Sequence, residues 1–412
     1  MELPLIFKKR KVAVFTGNRA EYGLQYPILK AISKHPSLEH QLLVSGAHLD
    51  DNFGRTLDEI RTDGFRIDAE VKIKMEVDSR VATAQAIGSG VQAISVALEQ
   101  LCPDIVVVYA DRFEGFSAVI AASQMNIPTA HIEGGDLTEG GALDDSVRHA
   151  MTKLAHLHFT TNEQATNRIL GMGEEAWRVH TVGFPAIDLI SEGRFASAGE
   201  CKARLGLDLE KPVVLFTQHS VTTEFEAATA QVLPSLEAIR QLAEQGVQVV
   251  ITYPNNDAGG RAIISALDEF ARQGHAGIQV HRSLGRHLYH GVLALARDPA
   301  ARVACVGNSS SGIKETPAFG CPTVNIGSRQ EGRLRGKNVI DVGYDALALV
   351  ATVNRCLHED AFRAVARNTA NPYYLGDAGK KISEVLATVP LNQALIRKKM
   401  ALKGESRDGW FR

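Results

Sequence analysis

Short apolar runs alternate with amphipathic stretches along almost the whole chain. Residues 12–16 read as a buried strand, followed by Gly-Asn-Arg-Ala-Glu-Tyr-Gly and a helix from about 24 to 34 that stops at His35-Pro36. Strand 41–44, helix 81–101, strand 105–109, helix 116–125, strand 129–132, helix 144–156, strand 158–161 and helix 163–171 continue the alternation. Residues 179–188 read as a last strand and exit, and the small, polar, glycine-bearing stretch 191–206 as a linker. The pattern then restarts: strand 213–217, helix 226–244, strand 247–252, helix 262–273, strand 278–281, strand 303–306, helix 313–319, strands 323–326 and 339–342, and helix 345–367. A last helix, 379–386, is expected to return to the first half, and the polar tail after Pro390 to fray. Repeated βα units imply parallel sheets covered on both faces. The expected fold is therefore two doubly wound α/β domains facing each other across a cleft. They take residues 1–190 and 191–370, and residues 371–412 form the returning helix and tail.

Composition narrows the function. At 412 residues two domains are expected, and a formal net charge of −2 argues against a nucleic-acid or membrane surface held by bulk electrostatics. Basic clusters occur only at the ends, Lys8-Lys-Arg-Lys11 and Arg397-Lys-Lys399, the first reading as a solvated lead into the first strand. Five scattered cysteines without a Cys-x-x-Cys pair fit a reducing compartment. The absence of a signal-like N-terminus or an apolar run of membrane-spanning length makes the cytoplasm the expected location. Neither half carries Gly-x-Gly-x-x-Gly after its first strand, which disfavours a dinucleotide oxidoreductase. Gly307-Asn-Ser-Ser-Ser-Gly-Ile-Lys314 imitates a P-loop, but its lysine follows neither directly on the glycine nor directly before Ser or Thr, so an NTPase is rejected. His156-x-His158 and His287-x-x-His290 lack carboxylates at ligand spacing, so no metal and no cofactor is expected.

The candidate chemistry gathers at strand ends. Residues 131–149 crowd Glu133, Asp136, Glu139, Asp144 and Asp145 around two Gly-Gly pairs, between an apolar strand and a helix opening on Asp-Asp-Ser. In isolation this is an N-capped helix after a solvated loop. Asp111 closes the strand before it. In the second half Ser309 and Ser310 lie between a strand and a helix, where backbone N–H groups and hydroxyls suit a diphosphate. Glu315 is placed to accept from ribose hydroxyls. His219 and Asn255 end two further strands, and Arg329 and Arg333 lie beyond another. Arg19, in the first βα turn, carries a planar fork suited to oxyanions. Carboxylates on one side and an anion pocket on the other form the layout for cleaving a nucleoside diphosphate from a sugar.

At these residues the chain resembles the UDP-N-acetylglucosamine 2-epimerases, most closely the hydrolysing branch of sialic-acid and legionaminic-acid synthesis. The matching pieces are Gly17-Asn-Arg-Ala-Glu-Tyr, Asp111-Arg-Phe-Glu, His131-Ile-Glu-Gly-Gly, Asp144-Asp-Ser-Val-Arg-His, Gln218-His219, Pro254-Asn255, Gly307-Asn-Ser-Ser and Ser328-Arg-Gln. The resemblance implies the GT-B fold, with two Rossmann-like domains and the nucleotide sugar between them, and a homodimer or homotetramer. By position it implies that Asp111, Glu133 and Asp144 act at the sugar, with His219 beside sugar and diphosphate. Arg19, Arg112, Asn255, Ser309, Ser310, Glu315 and Arg329 become nucleotide contacts. UDP-N-acetylglucosamine is the implied substrate. A 136–143 loop longer than in the mammalian enzyme brings in N,N'-diacetylbacillosamine on UDP or GDP. Gly23 stands where some relatives have a serine. A non-hydrolysing epimerase, a GT-B glycosyltransferase and a non-catalytic nucleotide-sugar sensor remain the competing readings.

Overall fold

The structure is a computed structural model and describes residues 8–49, 57–73, 80–138, 143–255 and 258–401. The chain divides into two compact units. The first comprises Met1–Asp136, Leu143–Asp188 and Leu375–Arg412, the second Leu137–Ala142 and Leu189–Tyr374.

In chain order the first unit runs β1 (Arg10–Thr16), α1 (Arg19–Lys34), β2 (Leu38–Ser45), α2 (Leu57–Thr62), β3 (Ala69–Val71), α3 (Arg80–Leu101), β4 (Ile105–Tyr109), α4 (Phe113–Gln124), β5 (Thr129–Ile132), α5 (Leu143–Leu154), β6 (Leu157–Thr160), α6 (Glu163–Gly171) and β7 (Val179–Thr181). Helix α7 (Ala186–Ser191) leads out of it. The second unit holds α8 (Ala198–Leu205), β8 (Val213–Thr217), α9 (Ala228–Glu244), β9 (Gln248–Thr252), α10 (Gly260–Arg272), β10 (Ile278–His281), α11 (Gly285–Ala294) and β11 (Val303–Gly307). It continues with α12 (Ser311–Lys314), α13 (Thr316–Phe319), β12 (Thr323–Ile326), β13 (Val339–Val342), α14 (Ala346–His358) and α15 (Asp360–Arg367). Helices α16 (Ala378–Thr388) and α17 (Gln393–Ile396) close the first unit.

Both sheets are parallel, ordered β3-β2-β1-β4-β5-β6-β7 and β10-β9-β8-β11-β12-β13. The order reverses between β1 and β4 in one unit and between β8 and β11 in the other. In such sheets the loops after these strands diverge to opposite faces and leave a crevice where ligands bind. β4, β8 and β11 are buried along their whole length, which is why they read as unbroken apolar runs rather than alternating ones. Val12, pairing with Ile105, and Val14, pairing with Val107, set the register at the first reversal.

Several expectations change. Residues 191–206 hold α8 rather than a linker. Ser197 and Glu200 form a reciprocal capping box, Cys201 and Leu205 are buried, and Gly206 ends the helix in the left-handed region. The 313–319 helix is two short pieces, α12 and α13, with Pro317 in the first turn of the second. The 345–367 helix breaks at Glu359 into α14 and α15. α11 was missed because glycines and histidines dilute its apolar stripe of Leu288, Val292 and Leu293. Among the described residues one helix, Val81–Leu101, is long and apolar enough by composition to cross a membrane, contrary to the expectation that no run reaches that length. Its Ala86, Ile94, Ala97 and Leu98 belong to the core of the first unit.

The tail after Pro390 is anchored rather than frayed as far as Ala401. Buried Arg178 donates to the carbonyls of Leu395 (2.7 Å), Ala394 (2.7 Å) and Arg397 (3.4 Å), and the Ala401 N–H donates to Gly173. Asp188 receives the Ala378 and Gly379 N–H groups at 3.1 and 2.8 Å, holding the start of α16.

Candidate active site

In the first unit the ends of β4 and β5 carry backbone strain. Ala110, after β4, and Glu133, after β5, are non-glycine residues in the left-handed region, at φ 54° and 65°. Sheet-like hydrogen bonds hold both: Ala110 N–H to Ile132 O at 3.0 Å and Glu133 N–H to Phe159 O at 2.9 Å. His131, fully buried on β5, fixes the first turn, with Nε2 2.7 Å from Ala110 O and Nδ1 3.1 Å from Thr152 Oγ1. Burial pushes its pKa down to about 3, so the ring is neutral. It donates from Nε2 and accepts at Nδ1.

Asp111 follows this turn, and its carboxylate receives Nη2 of Arg148 from α5. Arg148 is 2% exposed and also donates Nη1 to the Glu133 carbonyl at 3.0 Å, with Asp145 at 3.9 Å. Burial opposes its charge, yet Asp111, Asp136, Asp145 and Asp144 outweigh burial and raise its pKa. One guanidinium thus draws together Asp111, the Glu133 backbone and the acidic first turn of α5. Asp144 is half-buried in that turn, and the Glu133 side chain is buried. Sequence reasoning passed over Arg148, although it lies three and four residues from Asp145 and Asp144 and so shares their helix face.

Asp136, one of the charges on Arg148, is also tied into the fold. Asp136 accepts from Thr161 Oγ1 (2.9 Å) and Asn162 Nδ2 (3.0 Å), and Asn162 in turn caps α6. Glu139 and the rest of 139–142 lie outside the described residues. Arg19 opens α1, and its side chain lies outside them as well. Arg112 stands just before α4, with Nε 3.6 Å from Glu114.

Two buried carboxyls near the first βα turn were not foreseen. Glu21 accepts Gly17 N–H at 2.7 Å, and Glu114 packs against the space a Cβ on Gly17 would take. Burial pushes Glu21 up to about 8, against the Gly17 N–H and with help from Glu114. A carboxyl with a raised folded pKa favours the fold most below about pH 4.5, and that contribution is lost as the pH climbs to about 8. Glu21→Gln is therefore expected to be the more stable protein at pH 8, by on the order of a few kcal/mol, and to differ little at pH 4. Thermal midpoints across that range check it; parallel curves for the two proteins contradict the assignment.

In the second unit Asn308 is the organiser. Its Oδ1 accepts His219 N–H at 2.6 Å and its Nδ2 donates to His219 O at 2.8 Å, tying together the loops after β8 and β11. Its carbonyl accepts Arg329 Nη1 (3.2 Å) and Gln330 Nε2 (2.8 Å). Asn255 N–H donates to His219 Nδ1 at 3.0 Å, which leaves the ring proton on Nε2. Burial, and then Arg329, lower the His219 pKa to about 3. Ser309 and Ser310 are half-buried, and Ser309 Oγ accepts from Ser311 Oγ at 3.2 Å. Gly307, at φ 132°, lies so close to β8 that any Cβ would overlap the Thr217 carbonyl oxygen. The structure thus brings His219, Asn255 and Arg329 together around Asn308. Glu315 is buried, with its carboxylate 2.9 Å from His290 Nε2 on α11. Gly23 faces open space, with room for a serine side chain.

The chain matches the UDP-N-acetylglucosamine 2-epimerase family over residues 30–387. It is 31% identical over 389 residues to UDP-N,N'-diacetylbacillosamine 2-epimerase (hydrolyzing) of Legionella pneumophila, covering 94% of this chain and 98% of that protein. It is 33% identical to GDP/UDP-N,N'-diacetylbacillosamine 2-epimerase (hydrolyzing) of Campylobacter jejuni, covering 81% and 84%. Its fold is similar to that of the Neisseria meningitidis UDP-GlcNAc 2-epimerase crystallised with UDP-GlcNAc, at a TM-score of 0.76 and 20% identity over 91% of this chain and 99% of that one. The two parallel α/β units have the GT-B fold of these epimerases. From motif order, sheet topology and near full-length similarity together, the chain belongs to the UDP-N-acetylglucosamine 2-epimerase family.

Proposed function

We propose that the protein is a hydrolysing nucleotide-sugar 2-epimerase: UDP-N-acetylglucosamine and water give N-acetylmannosamine and UDP, for nonulosonic-acid synthesis. The observation that supports the reading is Arg148, which binds the Asp111 carboxylate after β4 and the Glu133 carbonyl after β5 and stands in the field of Asp144 and Asp145 on α5. The C2 hydrogen of the sugar has no adjacent carbonyl and is barely acidic, so its removal requires the C1–O bond to break ahead of it. Carboxylates stabilise the positive charge that builds on the ring, as in glycoside hydrolysis. One takes the C2 proton, giving UDP and a 2-acetamidoglucal. Water then adds at C1 while a carboxyl returns a proton to C2 from the other face.

Arg19, Arg112, Asn255, Ser309, Ser310 and Arg329 take the nucleotide in this reading, and Glu315 the ribose. His219 has its proton on Nε2 and a strongly lowered pKa, so it serves as a neutral donor to the departing diphosphate rather than as an imidazolium acid. His219→Ala is expected to lower kcat/KM about 100-fold without changing the shape of the pH profile between 5 and 8. An acidic limb near pH 6 that vanishes in the variant would contradict this.

A second reading keeps the chemistry and changes the sugar to N,N'-diacetylbacillosamine; the names of the Legionella and Campylobacter relatives favour it. Incubation in D2O with UDP-N-acetylglucosamine, UDP-N,N'-diacetylbacillosamine and its GDP analogue separately, followed by NMR, decides. The expected product is a free manno sugar with deuterium at C2. A retained C2 hydrogen, or an intact manno nucleotide sugar, rules out the hydrolysing epimerase.

A further inference from the structure

The C-terminal anchor ends on the helix that carries the acidic cluster. Lys398 Nζ donates to the carbonyls of Thr152 (3.3 Å), Lys153 (2.8 Å) and Ala155 (2.6 Å), where α5 runs out of intrahelical partners. Its charge is balanced by Glu174 Oε2 at 2.8 Å. Glu174 is itself buried and also binds Lys153 Nζ and His158 Nε2, at 2.5 and 3.1 Å. A cation at a helix C-terminus satisfies orphan carbonyls and complements the helix dipole. Lys398 is delivered there by the grip of Arg178 on three tail carbonyls and by the Lys399 N–H on Glu175. Met400 fills the space beside Gly173 where a Cβ would stand.

The capped end connects to the reacting end by short steps. Thr152 gives its carbonyl to Lys398 and its hydroxyl to His131, and His131 holds the Ala110 carbonyl next to Asp111. About one turn back along α5 Arg148 binds that same aspartate, and Asp144, one turn further, adds its charge to Arg148. We propose that residues 393–401 act as a positioning clamp for the reaction, with Lys398 fixing the C-terminal end of α5 so that Asp144, Arg148 and, through Thr152 and His131, Asp111 hold their relative places. The proposal rests on the epimerase reading for its effect on turnover and on geometry alone for its effect on the helix. A plain terminal anchor would stabilise the unit without affecting chemistry selectively. A clamp acts on kcat, because displacement of about 1 Å at reacting groups costs roughly 100-fold.

The test uses the full chain with Lys398→Met, Lys398→Arg and, should the methionine variant not fold, Lys398→Gln. The expected result for Lys398→Met is a fall of about 10- to 100-fold in kcat with KM within about twofold, recovered largely by Lys398→Arg. Amide exchange at 152–156 accelerates at least about tenfold while β1 and β4 amides keep their protection. An unchanged kcat alongside faster local exchange overturns the clamp in favour of an anchor. Uniformly faster exchange across the unit overturns it in favour of global destabilisation. If the wild type turns over none of the nucleotide sugars, the reaction reading falls, and exchange at the end of α5 still decides whether Lys398 fixes the helix.

Discussion

Arg148→Met is expected to remove most activity and to destabilise the first unit by about 3–5 kcal/mol, because it takes away a buried guanidinium that pairs with the half-buried Asp111 and faces the buried Asp145. Asp111 loses its ion pair, Asp145 its neighbour, and the Glu133 carbonyl a donor, all in a site where the arginine is 2% exposed. Turnover should fall about 100- to 1,000-fold, the range for losing one preorganised electrostatic partner. Arg148→Lys is no remedy, since an ammonium cannot reproduce a fork that meets a carboxylate with one nitrogen and a carbonyl with the other. Asp111→Asn should be comparably inactive yet less destabilising, because it removes the charge and keeps an acceptor. The double variant Asp111→Asn/Arg148→Met should be more stable than the sum of its parts, by about 1–3 kcal/mol. Denaturation curves and initial rates for the four proteins measure this. Strict additivity would show that the two side chains do not act as a unit.

Gly307→Ala is the second large effect, and it strikes the other unit. The φ of 132° is costly for alanine, and the new methyl would overlap the Thr217 carbonyl at the register where β11 pairs with β8. Relief requires the strands to separate, which displaces Asn308 and with it His219 and Arg329. A loss above about 3 kcal/mol and at least about 100-fold weaker UDP binding are expected. Gly23→Ala is the matched control. It lies inside α1 facing open space, and should be neutral or stabilising by about 0.5–1 kcal/mol. Calorimetric binding of UDP and thermal melts read both. A Gly307→Ala protein with wild-type affinity would show that the β11 turn is not what arranges the nucleotide side.

The site was legible in proportion to how local its signals are. Asp111, Glu133 and His219 stand at the ends of apolar runs, where an open parallel sheet presents its loops, so strand prediction alone nominated them. Arg148 was overlooked because a helical arginine beside two aspartates also describes an ordinary solvated helix face. Only the packing of α5 on the sheet shows that this face is buried and turned toward the strand ends. Asn308 carried no charge to draw notice, and its role exists only because β8 and β11 are adjacent. Glu21 and Glu114 fall in the turns that the sequence places before the helices at 24 and 116, and their burial depends on how the first βα turn meets α4. The tail read as frayed because its sequence is polar, and its partners, Arg178 and Glu174, lie more than 200 residues earlier.

By itself the sequence determined two parallel sheets, through unbroken apolar runs that must be covered on both faces, and it determined the family, through motifs whose order follows those strands. Tertiary structure alone decided which acids act on Arg148, which tautomer His219 holds, and that Lys398 caps the helix bearing Asp144. The reason is physical. Periodicity records whether a residue is buried, but a buried charge takes its meaning from the group opposite it, and that group is brought there by the fold.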